Sequence, residues 1–249
     1  MHAKRTQPAL ATGPTRKASP RALAVIGGAA ALAVLAVVLG IVLGGGKSAP
    51  GSDVPAVGSL VDALPGAGDV QAMFKGIPQN GMTLGSALAP VAIAEYVDVQ
   101  CPACRQAETD MLPGIVARYV RTGKAKLVLR PLAFVGPDSV RGRDALLAAA
   151  RQNRAFNFLE LLYVNQGTEN AGWLTDDMVT QAASSIPGVR VHDLLTLRDD
   201  SSISKQAAQD DAIARAAGIN STPTFVVAGA ALIGPSADTL ASAIERALP

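Results

Sequence analysis

The chain has 249 residues, with 22 basic and 20 acidic side chains for a net charge of +2, 49% hydrophobic residues and two cysteines. The charge is uneven: Lys4, Arg5, Arg16, Lys17 and Arg21 stand in the first 21 residues without an acid among them, which leaves −3 for the remainder. A net acidic folded part excludes nucleic-acid binding through a basic face, and two cysteines with His2 and His192 as the only histidines argue against a structural zinc site of about four ligands.

After the basic tail, 1–21, residues 22–43 carry no charge and would span about 33 Å as a helix, enough for a bilayer core. A cleaved signal peptide has an apolar region of only about 7–15 residues, so the longer run reads as a retained signal-anchor, a single transmembrane helix. With five basic residues before it and Lys47 alone just after it, the tail stays cytoplasmic and the bulk of the chain is extracytoplasmic. Disulfide chemistry persists in such a compartment. Residues 44–75, rich in Gly, Pro, Ser and Ala, read as a flexible linker with at most one short helix around Leu60, Val61 and Leu64.

Gln79-Asn80-Gly81 is a hairpin-turn signal, and the run 91–97 has the β-branched and aromatic content of a buried strand. Within it Ile93, Glu95 and Val97 alternate onto one face, which predicts that Glu95 is in the core, where burial raises a carboxyl pKa. Cys101-Pro102-Ala103-Cys104 follows, with both cysteines two residues apart and Pro102 pre-set for the first turn of a helix over 103–121, which Pro113-Gly114 should kink. Cys101 is thereby placed at a helix N-terminus, where free amides and the dipole favour the thiolate, the nucleophilic form. A structural disulfide between Cys101 and Cys104 would close too short a loop to constrain much of the chain.

Residues 126–130 read as a second main strand, completing a strand–helix–strand unit. From 137 to 217 the pattern is helical, with segments at 141–151, 155–163, 175–184, 191–197 and 204–217, and Trp173 belongs to their core. The sheet resumes with a hairpin of 224–227 and 231–233, and a last helix starts at the N-cap Ser236 with Leu240, Ala243, Ile244, Ala247 and Leu248 on one face. Asn220-Ser221-Thr222 is formally a glycosylation sequon, read here as chance.

Four features at corresponding places resemble the DsbA-like branch of the thioredoxin-fold proteins. They are the Cys101-Pro102-Ala103-Cys104 dithiol, Glu95 six residues before Cys101, the helical insert after the second strand, and Thr222-Pro223-Thr224-Phe225 opening a strand. The resemblance implies an α/β thioredoxin-like fold, 76–136 and 218–249, interrupted by an inserted helical subdomain, 137–217, and preceded by one transmembrane helix. It also implies a redox-active pair with Cys101 attacked and Cys104 resolving, a proton-carrying Glu95, a cis bond before Pro223 and substrate contacts from Thr222. Two departures stand out: the dipeptide Pro102-Ala103 lacks the histidine of the best-known member, and Ser221 stands where relatives often have glycine. The expected activity is a membrane-anchored thiol–disulfide oxidoreductase that oxidises cysteine-containing exported proteins and is reoxidised by a membrane redox partner, with no cofactor or metal. A reductase or isomerase on the same fold, or a peptide-binding module with an idle dithiol, is the alternative.

Overall fold

The structure is a computed structural model, and it describes residues 54–249. The basic tail and the anchor expected over 22–43 lie outside the described residues. Among the described residues no helix is long and apolar enough to cross a membrane.

The elements follow in chain order: α1 (Ala67–Phe74), β1 (Gln79–Asn80), β2 (Thr83–Leu84), β3 (Val91–Val97), α2, β4 (Ala125–Pro131), α3 (Pro137–Ala150), α4 (Ala155–Val164), α5 (Asp176–Ser184), α6 (Val191–Leu197), α7 (Ser201–Ala216), β5 (Thr224–Val227), β6 (Ala230–Ile233) and α8 (Ala237–Ala247). The α2 run is composite: Pro102–Gln106, a π-helical turn Ala107–Met111, Leu112–Ile115 and a second π-helical turn Val116–Val120. One six-stranded sheet has the order β1-β2-β4-β3-β5-β6, with β3 and β4 parallel and every other pair antiparallel.

β3 is central and covered on both faces, which its nearly uninterrupted apolar sequence requires. Ile93, Glu95 and Val97 are fully buried on one face, while Tyr96 packs with Leu132, Ala214 and Ile219. The five inserted helices form as expected, with Thr175 and Asp200 capping α5 and α7 through their side chains. Their apolar side chains, among them Leu146, Phe156, Phe158 and Leu194, join the sheet's Ile93, Leu127 and Phe225 in one cluster. The insert therefore shares a core with the strands that flank it in sequence.

One expectation needs correction. The linker expected over 44–75 is, in its described part, largely docked structure: Val57 bridges Arg190, the Gly58 amide donates to the Val189 carbonyl at 2.8 Å, and α1 buries Ala67, Val70 and Phe74. The Phe74 ring meets Phe156 edge-on at 6.1 Å, so this segment straps the insert. At Pro113-Gly114, where a kink is expected, the helical run is irregular but unbroken. The π-helical turn ahead of Pro113 widens the spiral where the proline ring would meet a carbonyl one turn back, and Leu112 donates to Ala107 across it.

Candidate active site

β3 ends at Val97 and the chain turns through Asp98, Val99 and Gln100 into α2. The turn is held from several sides. The buried Asp98 carboxylate accepts from the Gln100 amide at 2.9 Å, the Ser139 hydroxyl at 2.7 Å, and the amides of Phe134 and Val135 at 2.6 and 3.0 Å. From the insert, Tyr163 Oη donates to the Asp98 carbonyl at 2.9 Å, and Gln166 Nε2 donates to the carbonyls of Val99 and Cys101 at 2.9 and 3.3 Å. Asn170 donates its amide to Gln100 Oε1 at 3.0 Å. Buried polar groups need such partners, and here they make the loop before the cysteines rigid.

Cys101 is the N-cap of α2 with extended backbone, and Pro102 and Ala103 are exposed in its first turn. Both cysteines are free thiols: Cys101 is 9% exposed and Cys104 fully buried. The Cys104 thiol donates to the Cys101 sulfur, and with the Thr222 side chain and the amides of Cys104 and Ala103 it outweighs burial and holds Cys101 down to about 6. Burial, together with the charge on Cys101, pushes the Cys104 thiol far above the ordinary range. The pair is thus strongly asymmetric, one sulfur ionised and reachable, the other neutral and enclosed. The Thr222–Pro223 bond is cis, and the Thr222 carbonyl lies 3.4 Å from Cys101 Sγ. Cys101, Cys104, Thr222 and Pro223, remote in sequence, meet at one end of the sheet.

A family model described as thioredoxin matches residues 78–246. The chain belongs to the thioredoxin family. A relative from Bacillus cereus, a probable disulfide bond formation protein D, is 28% identical over 169 residues, which cover 67% of this chain and 78% of that protein. A thioredoxin-like oxidoreductase from Silicibacter pomeroyi is similar in structure, with TM-score 0.57, 26% identity and coverage of 71% and 96% of the two chains. The oxidised form of BdbD from Bacillus subtilis shares the fold at TM-score 0.63 and 22% identity, covering 69% and 96%. The thioredoxin-like fold with its helical insertion and the cysteine pair make this protein a DsbA-like disulfide oxidoreductase.

Glu95 of this oxidoreductase is in the core, as its alternation with Ile93 and Val97 predicts. It is not alone there. Glu108, in the first π-helical turn of α2, and Glu160, in α4, are buried beside it, and neither was singled out by the sequence reading. Burial raises Glu95 to about 7 against a hydrogen bond from Glu108. Burial with the charge of Glu95 raises Glu160 to about 7 as well, and burial with both neighbouring carboxyls pushes Glu108 well up. Trp173 lies in the insert with its ring against Gly167, next to Gln166. Gln100, Gln166 and Asn170 were also missed, since a glutamine that holds a loop carbonyl looks in sequence like any polar residue.

Proposed function

We propose that the protein is a membrane-anchored, extracytoplasmic thiol–disulfide oxidoreductase that introduces disulfides into cysteine-containing exported proteins and is itself reoxidised by a membrane redox partner. The single observation that carries the reading is the asymmetry of the pair, Cys101 lowered to about 6 at a helix N-terminus and Cys104 buried and neutral. A low-pKa sulfur is a good leaving group, so a mixed disulfide at Cys101 resolves readily and the dithiol form is favoured, as an oxidant requires. In the oxidised enzyme a substrate thiolate attacks Cys101, the Cys101–Cys104 bond breaks, and Cys104 leaves. A second substrate thiolate then attacks the substrate's own sulfur and releases Cys101 as thiolate, so two electrons pass from substrate to enzyme.

Glu95 supplies the proton that Cys104 takes up, and Thr222 with Pro223 offers backbone groups to an extended substrate chain. The five basic residues before the uncharged run at 22–43 support the anchor and its orientation, and the relatives named as disulfide bond formation proteins support the direction of the chemistry.

The test is a pair of variants in intact cells. Cys104→Ala should accumulate mixed disulfides with exported proteins while Cys101→Ala accumulates few, and a membrane-impermeant thiol reagent should label reduced Cys101 without lysis. The potential against glutathione buffers should fall within about −180 to −120 mV. Equal trapping by both variants removes the assignment of roles, labelling only after lysis reverses the orientation, and a potential at or below about −250 mV makes the protein a reductant.

A further inference from the structure

Three carboxyls from three separate elements meet in the core: Glu95 from β3, Glu108 from α2 and Glu160 from α4, exposed by 0%, 2% and 3%. Glu108 is the middle member, paired with Glu95 on one side and Glu160 on the other, close enough for a shared proton to join each pair. Both oxygens of Glu95, Oε1 of Glu108 and Oε2 of Glu160 are buried, and among the described residues no N–H or hydroxyl donates to them. Such oxygens are satisfied by protons shared among the carboxyls themselves.

The groups around the cluster supply no counter-charge. Tyr163 lies within electrostatic reach of Cys104, Glu108, Glu95 and Asp98 alike, so the buried sulfur and the carboxyls share one neighbour. Arg141 and Arg143 of α3 are engaged by Asp138, Asp176, Asp144 and Asp211. Among the described residues no group of three or more potential ligands has metal-site geometry.

The cluster also has two ends. Glu108 lies four residues after Cys104, on the same face of α2. Glu160 forms part of the wall of a groove of about 460 Å³ between α1, α2 and α4, with Asp69, Met73, Pro113, Arg121 and Val164. Neither cysteine, nor Thr222, nor Pro223 lines that groove. Arg121 is spent there on the carbonyls of Met73 and Lys75.

We propose that Glu160 is the outer station of a proton path, Glu160 to Glu108 to Glu95 to Cys104, which exchanges the Cys104 proton with solvent in the α1–α2–α4 groove, away from the substrate-facing side of Cys101. This rests on Cys104 being the resolving sulfur. When substrate attack breaks the Cys101–Cys104 bond, the electron pair goes to Cys104 Sγ, which takes the proton of Glu95. Glu108 then reprotonates Glu95, Glu160 reprotonates Glu108, and solvent restores Glu160. Reoxidation runs the transfers in reverse. Glu160 touches neither sulfur and acts only through the two other carboxyls.

The test is single-turnover reduction of the oxidised full chain in detergent by dithiothreitol, followed against pH in water and in deuterium oxide. Glu160→Gln keeps the shape of the side chain but cannot pass a proton as an acid. It should slow the turnover about tenfold or more and abolish the pH inflection near neutrality, while iodoacetamide labels Cys101 of the reduced form at the unaltered rate. Glu160→Asp, or formate added to Glu160→Gln, should restore much of the rate, which a merely structural loss would not allow. Wild-type rate and pH profile in Glu160→Gln would overturn the path, as would slowing that neither aspartate nor formate relieves. If the glutamine variant does not fold, the unaltered protein decides: a solvent isotope effect of about two or more on the turnover supports the path, and one near unity overturns it. Failure of Cys101 labelling or of trapping by Cys104→Ala marks instead a failure of the proposed function, because neither measurement involves Glu160.

Discussion

The thiol pair should titrate in a way that its surroundings specify. Cys101 is held from 9.0 down to about 6, first by the thiol of Cys104 and then by the Thr222 side chain and two helix amides. At pH 7 the folded thiol is thus about ten-to-one thiolate, whereas the unfolded one is about one part in a hundred. A depressed folded value contributes stability that is complete above the unfolded value near 9 and is lost as pH falls through about 6. At pH 7 this amounts to about 1.4 kcal/mol, which solvent screening at a sulfur open on one side trims to about 1 kcal/mol. The disulfide has no thiolate to stabilise, so the same energy favours the dithiol and raises the potential by about 20–30 mV relative to an unperturbed pair.

Cys104→Ala removes the first of the donors. A hydrogen bond to a charged group is worth about 1.5–3 kcal/mol, so the Cys101 midpoint should rise to between about 7 and 8 in the variant. Thiolate absorbance and the pH dependence of iodoacetamide labelling both read that midpoint. A wild-type midpoint at about 8 or above, or one that Cys104→Ala leaves in place, refutes the reasoning.

Two further outcomes follow from the core and from the strap. Glu95, raised from 4.5 to about 7, binds a proton in the fold that it lacks in the unfolded chain. Stability should therefore fall as pH rises from about 4.5 to 7, and at pH 8 Glu95→Gln should be the more stable protein by up to about 3 kcal/mol in denaturant titration; a less stable variant at pH 8 contradicts this. A Cβ at Gly58 would meet the backbone carbonyls of Ile186 and Ala183, the second at 2.6 Å, and backbone cannot yield as a side chain can. Gly58→Ala should cost about 1–3 kcal/mol and speed amide exchange at Ser59 and Gly188, and unchanged stability and exchange would mean that the segment hangs free.

Much of this molecule is legible in its sequence because the signals are local. β-Branched and aromatic content locates β3, alternation puts Glu95 inside, and Ser236 caps α8 as its position suggests, with its hydroxyl accepting from the Thr239 amide. The boundaries of α6 coincide with the expected 191–197. The strap was illegible for a physical reason: residues 57–59 dock through main-chain hydrogen bonds to Ser184, Gly188 and Val189, which a Gly- and Ser-rich composition does not advertise. The first π-helical turn of α2 shares that origin, since it accommodates the backbone to Pro113 rather than expressing a preference of any side chain.

The carboxyl cluster was legible in principle. α4 reads Ala155-Phe156-Asn157-Phe158-Leu159-Glu160-Leu161-Leu162-Tyr163-Val164, and a helix with only Asn157 and Glu160 among apolar residues has little to offer to water. An acid at its centre must be buried, and a buried acid must lose its charge or find a cation. Glu108, four residues beyond Cys104 on the first helix of a strand–helix–strand unit, is bound by periodicity to the same inward face. Two buried acids with no cation assigned to either should find each other, and Glu95 is already inside. What sequence could not supply is the order in which they touch, because that depends on α4 arriving from the insert to lie against the π-helical turn. That order puts Glu108 between the other two, and the groove gives the outermost carboxyl a route to water that the cysteines do not share.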